Sequence, residues 1–479
     1  MPPVATKVGF LSLGCPKNLV DSEVMMGILA RQGYELTPRA DEADVIVVNT
    51  CSFIESAQQE SVDTIIEMAE HKKFGRARRL IVAGCLVERY RDAIRERIPE
   101  VDAVIGTSEV ERILEAVQGE LRALPAAPPA FLYHDATPRL MATPRHAAYI
   151  KIAEGCDHPC TFCIIPQLRG QFRSRRFESV TREAENLAAA GVREVTLIGQ
   201  DTTSYGEDLG LRDGLAALLG RLASVEGLDW VRFLYAYPNR VTQGLLDALA
   251  SHPRLVKYID MPLQHASRGV LARMKRGSSG DAFLRLIERI RATIPGVMLR
   301  TSFIVGFPGE TQEEFRELAD FVSAAEIDWM GVFAYSDVDN AASHALGAKV
   351  DPETIAERRD HLMAMQRRIS SRRLRRFVGR KLAALVEGPS KDTELVWEAR
   401  IEGMAPEIDG KVYLSDLEPP EGGRAAGTGD LVTVEITASH DYDLVGRVME
   451  VREALPVIAG PEVAPARTIS TGASLRVLA

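Results

Sequence analysis

The first 120 residues alternate short β-rich runs with longer segments of helical periodicity. The β-rich runs are VGFLSL, VIVVN, LIVAG and AVIG, and the helical segments cover about 21–32, 53–72, 88–97 and 108–117. Strand–helix repetition of this kind predicts a parallel sheet that is covered by helices on both faces. We therefore predict an α/β domain over residues 1–120.

A second alternating series runs from about Tyr149 to Tyr335. Its candidate strands are YIKIA, EVTLIG, VRFLYA, YIDMPL, MLRTSFIVG and WMGVFAY. Six strand–helix units of this length fit a partial parallel (β/α)6 barrel, whose working face is the carboxyl rim of the strands. We predict this barrel over residues 147–370, after a proline-rich linker at 121–146.

The composition changes again after the barrel. Between Glu357 and Lys381 there are ten Arg or Lys and two acidic residues, which predicts a solvent-facing helix between domains, with a contact to nucleic acid as the alternative. The β-rich runs that follow, broken by glycine, predict a small five-stranded antiparallel β-barrel within 371–452. The tail at 453–479, rich in Ala, Pro, Gly and Ser, is predicted to be disordered.

Composition and charge narrow the class of protein. The 479 residues are 46% hydrophobic and 26% charged, which is typical of a soluble globular protein. No run of about 18 uncharged apolar residues and no secretory signal is seen, so we expect a cytoplasmic location and no membrane partner. The net charge of -9 argues against attraction of the whole chain to phosphate. Residues 382–450 contain 5 basic and 15 acidic residues, so we expect the terminal barrel to suit a basic partner.

The six cysteines form two sets. The loop set is Cys156, Cys160 and Cys163, and the N-terminal set is Cys15, Cys51 and Cys85. A disulfide framework belongs to short secreted chains, so metal or redox chemistry is the leading interpretation here. The loop set follows the first barrel strand with CxxxCxxC spacing, and each cysteine of the N-terminal set follows a different strand of the first domain. Because ligand sites of open α/β sheets lie beyond the carboxyl ends of the strands, the N-terminal set should converge.

Three thiolates on one loop can hold three irons of a cubane cluster and leave the fourth iron open to substrate. Electron-carrying clusters and structural zinc sites use four protein ligands, which fits this loop less well. His158 within the loop could complete a zinc site. Any single cysteine could also be a small buried apolar side chain. These alternatives remain open on spacing alone.

The CxxxCxxC loop after a first barrel strand, with Phe162 before its last cysteine, resembles the radical S-adenosylmethionine superfamily. The resemblance implies that the open iron chelates the amino and carboxylate groups of S-adenosylmethionine. It also implies that one electron splits the sulfonium to give a 5'-deoxyadenosyl radical, which makes the loop cysteines catalytic. From their predicted places near the rim, we expect four further side chains to bind the cofactor, although each could be structural: Phe162, Gln200, Gln264 and Arg300.

The N-terminal cysteines and the order of the three domains resemble the methylthiotransferases. That resemblance implies a second 4Fe-4S cluster on the N-terminal set, again with one open iron, which carries the sulfur to be donated. It also implies two uses of S-adenosylmethionine, one to methylate the sulfur and one to generate the radical. The net result is an SCH3 group in place of a hydrogen.

Four stretches resemble one branch of that family, which modifies an aspartate of ribosomal protein S12. They are SLGCPKNLVDSE, EGCDHPCTFCIIPQLRG, DMPLQHAS and APEIDG. The implied partners are S12, either free or on the small subunit, and a low-potential electron donor such as flavodoxin or ferredoxin; we expect a monomer. The alternatives are a transfer RNA adenosine methylthiotransferase and a non-catalytic iron-sulfur carrier.

Overall fold

The computed structural model describes residues 6–122, 131–391, 393, 396–419 and 423–452. The tail that was predicted to be disordered, 453–479, lies outside the described residues, as does part of the predicted linker. The remainder forms an N-terminal α/β unit, a partial barrel and a small closed β-barrel, which confirms the predicted fold class.

The N-terminal unit is a five-stranded parallel sheet in the order β2-β1-β3-β4-β5. Every residue of its central strand β3 is buried, as expected for a strand that is covered on both faces. The strands are β1 (Lys7–Ser12), β2 (Glu35–Thr37), β3 (Val45–Thr50), β4 (Arg79–Gly84) and β5 (Ala103–Ile105), and the helices are α1 (Pro16–Arg31), α2 (Glu55–Lys73), α3 (Cys85–Arg97) and α4 (Ile113–Gln118).

The middle unit contains the six predicted barrel strands as two three-stranded parallel sheets, β10-β9-β6 and β11-β12-β13. An isolated bridge pairs Val231 of β10 with Leu255, three residues before β11. The strands, including the short antiparallel pair β7 and β8, are β6 (Ala147–Lys151), β7 (Ala153–Glu154), β8 (Arg173–Ser174), β9 (Glu194–Ile198), β10 (Trp230–Phe233), β11 (Tyr258–Asp260), β12 (Met298–Val305) and β13 (Trp329–Ala334). The helices are α5 (Ile165–Arg169), α6 (Phe177–Ala189), α7 (Gly214–Leu222), α8 (Gln243–Ser251), α9 (Arg268–Arg273), α10 (Gly280–Thr293), α11 (Gln312–Ala325) and α12 (Pro352–Leu374).

The basic stretch after the barrel forms α12, which buries Leu362 and Ile369 against the barrel. Part of its positive charge is neutralised locally, because Arg373 and Arg376 both contact Asp328. The predicted domain edge after residue 370 falls within this helix, and the domain boundaries remain predictions.

The third unit is a closed barrel in the order β14-β15-β16-β18-β17. Four strand pairs are antiparallel, as expected, and the fifth pair, β16 with β18, is parallel. The reason is geometric, because an odd number of strands cannot alternate in direction all the way around a closed ring. The strands are β14 (Lys381–Pro389), β15 (Trp397–Ile401), β16 (Val412–Asp416), β17 (Leu431–Ser439) and β18 (Leu444–Val451).

Specific polar contacts join the units. Residues 131–146 of the predicted linker have no helix or strand but pack between domains. Within it, Arg139 forms ion pairs of 2.6 Å with Glu23 of α1 and Glu183 of α6. At the other interface, the indole nitrogen of Trp329 donates to the carbonyl of Gly403 at 2.8 Å. In the part of the chain that the structure describes, no helix has the length and apolar character needed to cross a bilayer.

Candidate active site: a cavity between two cysteine sets

A cavity of about 1390 Å³ lies where the carboxyl ends of β1, β3 and β4 face the carboxyl rim of the partial barrel. The ten residues that the sequence suggested as site residues all line it, so the structure brings both cysteine sets and the four expected cofactor contacts together. They are Cys15, Cys51, Cys85, Cys156, Cys160, Phe162, Cys163, Gln200, Gln264 and Arg300.

The N-terminal cysteines occupy equivalent places after three parallel strands. Cys15 precedes the first residue of α1, Cys51 directly follows β3, and Cys85 is the first residue of α3. Gly14 allows the first two to approach, because a Cβ at this residue would lie 2.6 Å from Cβ and 2.9 Å from Sγ of Cys51. Its φ of +83° is also one that side chains rarely adopt.

Asn18, which the sequence analysis missed, ties these strand ends together. Its amide nitrogen donates to the carbonyl of Thr50 at 2.7 Å and to that of Leu13 at 3.1 Å. Its amide oxygen accepts from Arg169 of the barrel unit and lies 3.8 Å from Sγ of Cys85. One side chain in the first turn of α1 therefore contacts two strand ends, a cysteine and the neighbouring unit.

The thiols of the N-terminal set differ in acidity. Burial raises the pKa of Cys51 to about 12 and that of Cys85 to about 11. Burial acts in the same direction on Cys15, but the charges of Lys17 and Arg169 hold the pKa of Cys15 below its ordinary value. Because metals bind thiolates, loading a metal group on this set must release protons.

The loop cysteines are presented by a tight backbone approach at the rim. Cys156 follows Gly155, whose φ is +78° and where a Cβ would lie 2.1 Å from the carbonyl oxygen of Gln171. The backbone N–H of Cys163 donates to the carbonyl of Cys160, which closes the loop. Burial raises the pKa of Cys156 to about 11 and that of Cys163 to about 12, so these thiols are also neutral when free.

A stack of side chains supports this loop from one side. The Nε2 atom of His158 lies 2.6 Å from a carboxylate oxygen of Asp201, and its ring stacks on Tyr237 with centroids 3.8 Å apart. The Arg276 guanidinium also covers Tyr237, and its Nη1 lies 3.7 Å from Sγ of Cys160. Among the described residues, no three His, Cys, Asp or Glu side chains are close enough together to hold a single metal ion.

The four expected cofactor contacts are held in different ways. Gln200 donates from its amide nitrogen to Glu154 at 2.9 Å, while its buried amide oxygen has no hydrogen-bond partner within the described structure. Arg300 is paired with Asp260 at 3.2 Å and with Asp409 of the terminal barrel at 3.4 Å. The orphaned oxygen of Gln200 is the kind of group that a bound donor would satisfy.

Gln264 and Phe162 are positioned by the neighbouring backbone and by packing. Gln264 adopts a φ of +73°, and its N–H donates to the carbonyl of Ser302 at 2.9 Å. Phe162 packs against a buried cluster that contains Met274 and Phe307. A non-glycine residue at positive φ is a strained conformation that is concentrated at functional sites.

A buried ionic network lies behind the cavity and crosses the interface between the first two units. Arg169 contacts Asp21 at 3.1 Å and Glu154 at 3.0 Å, and Lys151 contacts the same two carboxylates. The sequence analysis missed these residues. The available signal was a lysine inside the apolar run YIKIA, which a buried strand tolerates only when the charge is paired.

Three family models match successive parts of the chain. They are "Uncharacterized protein family UPF0004" over residues 7–106, "Radical SAM superfamily" over 150–322 and "TRAM domain" over 378–449. Each match falls within one of the three structural units.

Curated relatives match the chain over nearly its whole length. A "Ribosomal protein uS12 methylthiotransferase RimO" of Solibacter usitatus is 62% identical, and the alignment covers 95% of this chain and 97% of the relative. The protein of the same name from Koribacter versatilis is 56% identical, with 92% and 96% covered.

Among solved structures, the radical S-adenosylmethionine methyltransferase TsrM of Kitasatospora setae, bound to tryptophan and a cofactor analogue, is similar with a TM-score of 0.51. The match covers 68% of this chain and 73% of that one. Because the two sequences are only 17% identical, the similarity shows a shared fold and nothing more.

Proposed function

Because the chain belongs to the family of ribosomal protein uS12 methylthiotransferases, we propose that it replaces a hydrogen on an aspartate side chain of uS12 with a methylthio group. The observation that carries this proposal is the pair of cysteine sets lining one cavity. A single substrate side chain could therefore meet both halves of the chemistry without leaving the enzyme.

The enzyme is a radical S-adenosylmethionine methylthiotransferase, and its cofactors are two 4Fe-4S clusters and S-adenosylmethionine. When bound, these groups supply the reducing electron, the radical that removes hydrogen, and the sulfur and methyl group that are transferred. We assign the loop set, Cys156, Cys160 and Cys163, to the catalytic cluster. We assign the N-terminal set, Cys15, Cys51 and Cys85, to the auxiliary cluster.

The residues present fit these groups. Each set offers three thiols, the donor type that iron-sulfur clusters require, and each leaves one coordination position for a non-protein ligand. Gly14 leaves a space beside Cys51 that a Cβ would fill. The unsatisfied amide oxygen of Gln200 points to a donor on the cofactor, and we assign Gln264, Arg300 and Phe162 to the same binding surface.

The protein's own contribution is to fix the two sets relative to each other and to exclude water. The network around Arg169 and Glu154 ties the two units together behind the cavity, and the ion pair of Arg300 with Asp409 attaches the terminal barrel to the rim. Because both reactive groups are held against one substrate side chain, the reaction does not depend on separate encounters in solution. Enclosure also protects a reactive radical from side reactions.

Charge supports a protein substrate rather than transfer RNA. The terminal barrel, with 5 basic and 15 acidic residues over 382–450, places Ile408 on the cavity wall. On the opposite unit, α2 presents Glu60 and Glu67, which are exposed and also line the cavity. The net negative charge of the terminal-barrel sequence and these two exposed glutamates favour a basic ribosomal protein over a phosphate-rich partner. The basic helix α12 is partly neutralised by Asp328.

The direct test uses the full chain, reconstituted with iron and sulfide without oxygen and supplied with S-adenosylmethionine and a reductant. We expect mass spectrometry to find a methylthio group on one aspartate of purified uS12. Transfer RNA is the parallel substrate, and its modification in place of uS12 would refute the proposal. We further propose that the enzyme is a cytoplasmic monomer that uses a flavodoxin- or ferredoxin-type donor, which reduction assays with each protein and sedimentation would test.

A further inference from the structure

Five cationic side chains line the cavity, and two of the arginines have their charges neutralised by the protein. Arg169 contacts the carboxylates of Asp21 and Glu154. Arg300 contacts two carboxylates in the same way. A substrate carboxylate would have to compete with these partners, so neither guanidinium is a free anion site.

A third cation, Arg276, is occupied differently. It donates to the carbonyl oxygen of Pro262 at 2.7 Å and approaches the Cys160 sulfur at 3.7 Å. It also covers the ring of Tyr237. These contacts place it with the loop cysteines. The two lysines, Lys17 and Lys391, remain.

Lys17 is a buried cation without a carboxylate partner among the described residues. Its side-chain nitrogen donates a long hydrogen bond of 3.5 Å to the carbonyl of Gly199 and lies over the ring of Tyr235, 3.4 Å from the centroid. Only 7% of the residue is exposed, and its neighbours among the described residues include Tyr235 and Cys15 but no carboxylate. An ammonium group offers three donors, and burying it without a partner is unfavourable. Burial acts to lower the pKa of Lys17, but Tyr235 and Cys15 outweigh it and raise that pKa, so the group stays charged and can accept a carboxylate partner from the cavity.

The ring beneath Lys17 is held there at a conformational cost. Tyr235 follows β10 with a φ of +65°, which non-glycine residues seldom adopt. Its backbone is fixed on both sides, since its N–H donates to Asp260 at 2.9 Å and its carbonyl accepts from the N–H of Thr202 at 3.1 Å. Strain that is maintained in this way is concentrated at binding and catalytic positions.

The position of Lys17 also fits the substrate. Lys17 lies two residues after Cys15 on α1, yet its nitrogen contacts Gly199 just past β9 of the barrel unit. The ammonium group therefore lies at the junction of the two units, where a side chain reached from both cysteine sets must be placed. Lys391, by contrast, is exposed at the cavity wall, where water screens its charge.

We propose that the ammonium group of Lys17 binds the side-chain carboxylate of the substrate aspartate and so selects an acidic side chain for modification. The inference rests on the proposed function, because it names the residue that recognises that substrate. S-adenosylmethionine also carries a carboxylate, but Lys17 lies at the junction of the two units, where the substrate side chain would be reached from both cysteine sets.

The test is a double-mutant cycle with the reconstituted full chain. Two forms of purified uS12 are compared, one unmodified and one with its target aspartate changed to asparagine. The affinity for each form is measured with the parent enzyme, with Lys17→Met and with Lys17→Arg. We expect Lys17→Met to weaken binding of unmodified uS12 by about tenfold to a hundredfold, the effect of losing a charged hydrogen bond. It should leave affinity for the asparagine form unchanged, and Lys17→Arg should restore much of the loss. Lys391→Met should affect both forms of uS12 equally.

Four results would overturn the inference. Equal weakening of both uS12 forms by Lys17→Met, or a loss of iron in both Lys17 variants, would indicate a structural role. Weaker binding of S-adenosylmethionine with unchanged affinity for uS12 would assign Lys17 to the cofactor. Retention of full affinity for unmodified uS12 would show that Lys17 does not bind it. If the parent enzyme modifies uS12 in any of these cases, the proposed function stands and only the role of Lys17 fails.

Discussion

The Nη2 nitrogen of Arg169 lies 3.7 Å from the sulfur of Cys85, although Arg169 ends a helix of the barrel unit and Cys85 begins a helix of the N-terminal unit. The same guanidinium contacts Asp21 and Glu154, one from each unit. A single buried side chain therefore links the N-terminal cysteines to the loop side of the cavity. The distance between the two cysteine sets depends on this interface.

Arg169→Met tests the strength of that link. Both carboxylates would lose a buried partner, and breaking a buried ion pair in this way costs about 3 to 5 kcal/mol. We expect the free energy of unfolding of the full chain to fall by that order in a denaturant titration. The control is Arg221→Met, because Arg221 pairs with Glu185 where both side chains are more than 40% exposed, and such pairs contribute less than about 1 kcal/mol. Similar losses in the two variants would contradict the structural role of Arg169.

Gly14→Ala tests the packing of the N-terminal cysteines. The new methyl group would collide with Cys51, so we expect the chain to lose the iron of one cluster, about four of about eight atoms, on reconstitution. Gly33→Ala is a matched control, because Gly33 has a φ of +84° but nothing lies within 4 Å of an added Cβ. Both variants bear the same backbone strain, about 1 to 2 kcal/mol. Iron loss in both would mean that strain, rather than the collision, disrupts the site.

Glu387 gives a pH dependence to the contact between the terminal barrel and the middle unit. Burial acts to raise the pKa of Glu387, but Arg400 and His146 outweigh it and lower the pKa from 4.5 to about 2. A lowered pKa in the folded state stabilises the fold above about pH 4.5, and this contribution is lost as the pH falls towards 2. The shift corresponds to about 3 kcal/mol.

We therefore expect Glu387→Gln to lower stability at pH 6 but to have little effect near pH 2, as measured by denaturant titration across this range. Glu450→Gln is the control in the same barrel, because Glu450 is exposed. A stability difference between Glu387→Gln and the parent that does not change with pH would contradict the assignment.

The two cysteine sets should be separable by activity. We expect Cys51→Ala to retain reductive cleavage of S-adenosylmethionine, measured as 5'-deoxyadenosine release, because the loop set is intact. The same variant should transfer no methylthio group to uS12. Cys160→Ala should lose both activities. Methylthio transfer by Cys51→Ala would show that the N-terminal set is not the sulfur site.

Much of this architecture could be predicted from periodicity, because buried parallel strands and glycine-broken barrel strands leave long regular patterns. β2 was missed, since Glu35–Thr37 is too short to show a period. The start of α1 was predicted at about residue 21, with Asp21 as its cap, but Asp21 lies inside the helix, which begins at Pro16, a favourable first helical residue. The cysteines were found because their spacing is local or follows each strand.

The residues that hold the cysteines in place could not be found in this way. Arg169 and Asp21 are 148 positions apart, and Lys17 meets Gly199 across 182 positions. Such contacts depend on how two units pack, which no local pattern records. An isolated charge in an apolar run indicates that a partner exists but does not identify it.

The central claim is that two sets of three thiols hold separate clusters that face one cavity. Mössbauer spectroscopy with an iron assay on the full chain, reconstituted without oxygen, tests it most directly. We predict about eight irons per chain in two 4Fe-4S clusters, and about four in a Cys51→Ala or a Cys160→Ala variant. A single cluster in the parent chain, or zinc in either set, would contradict the claim.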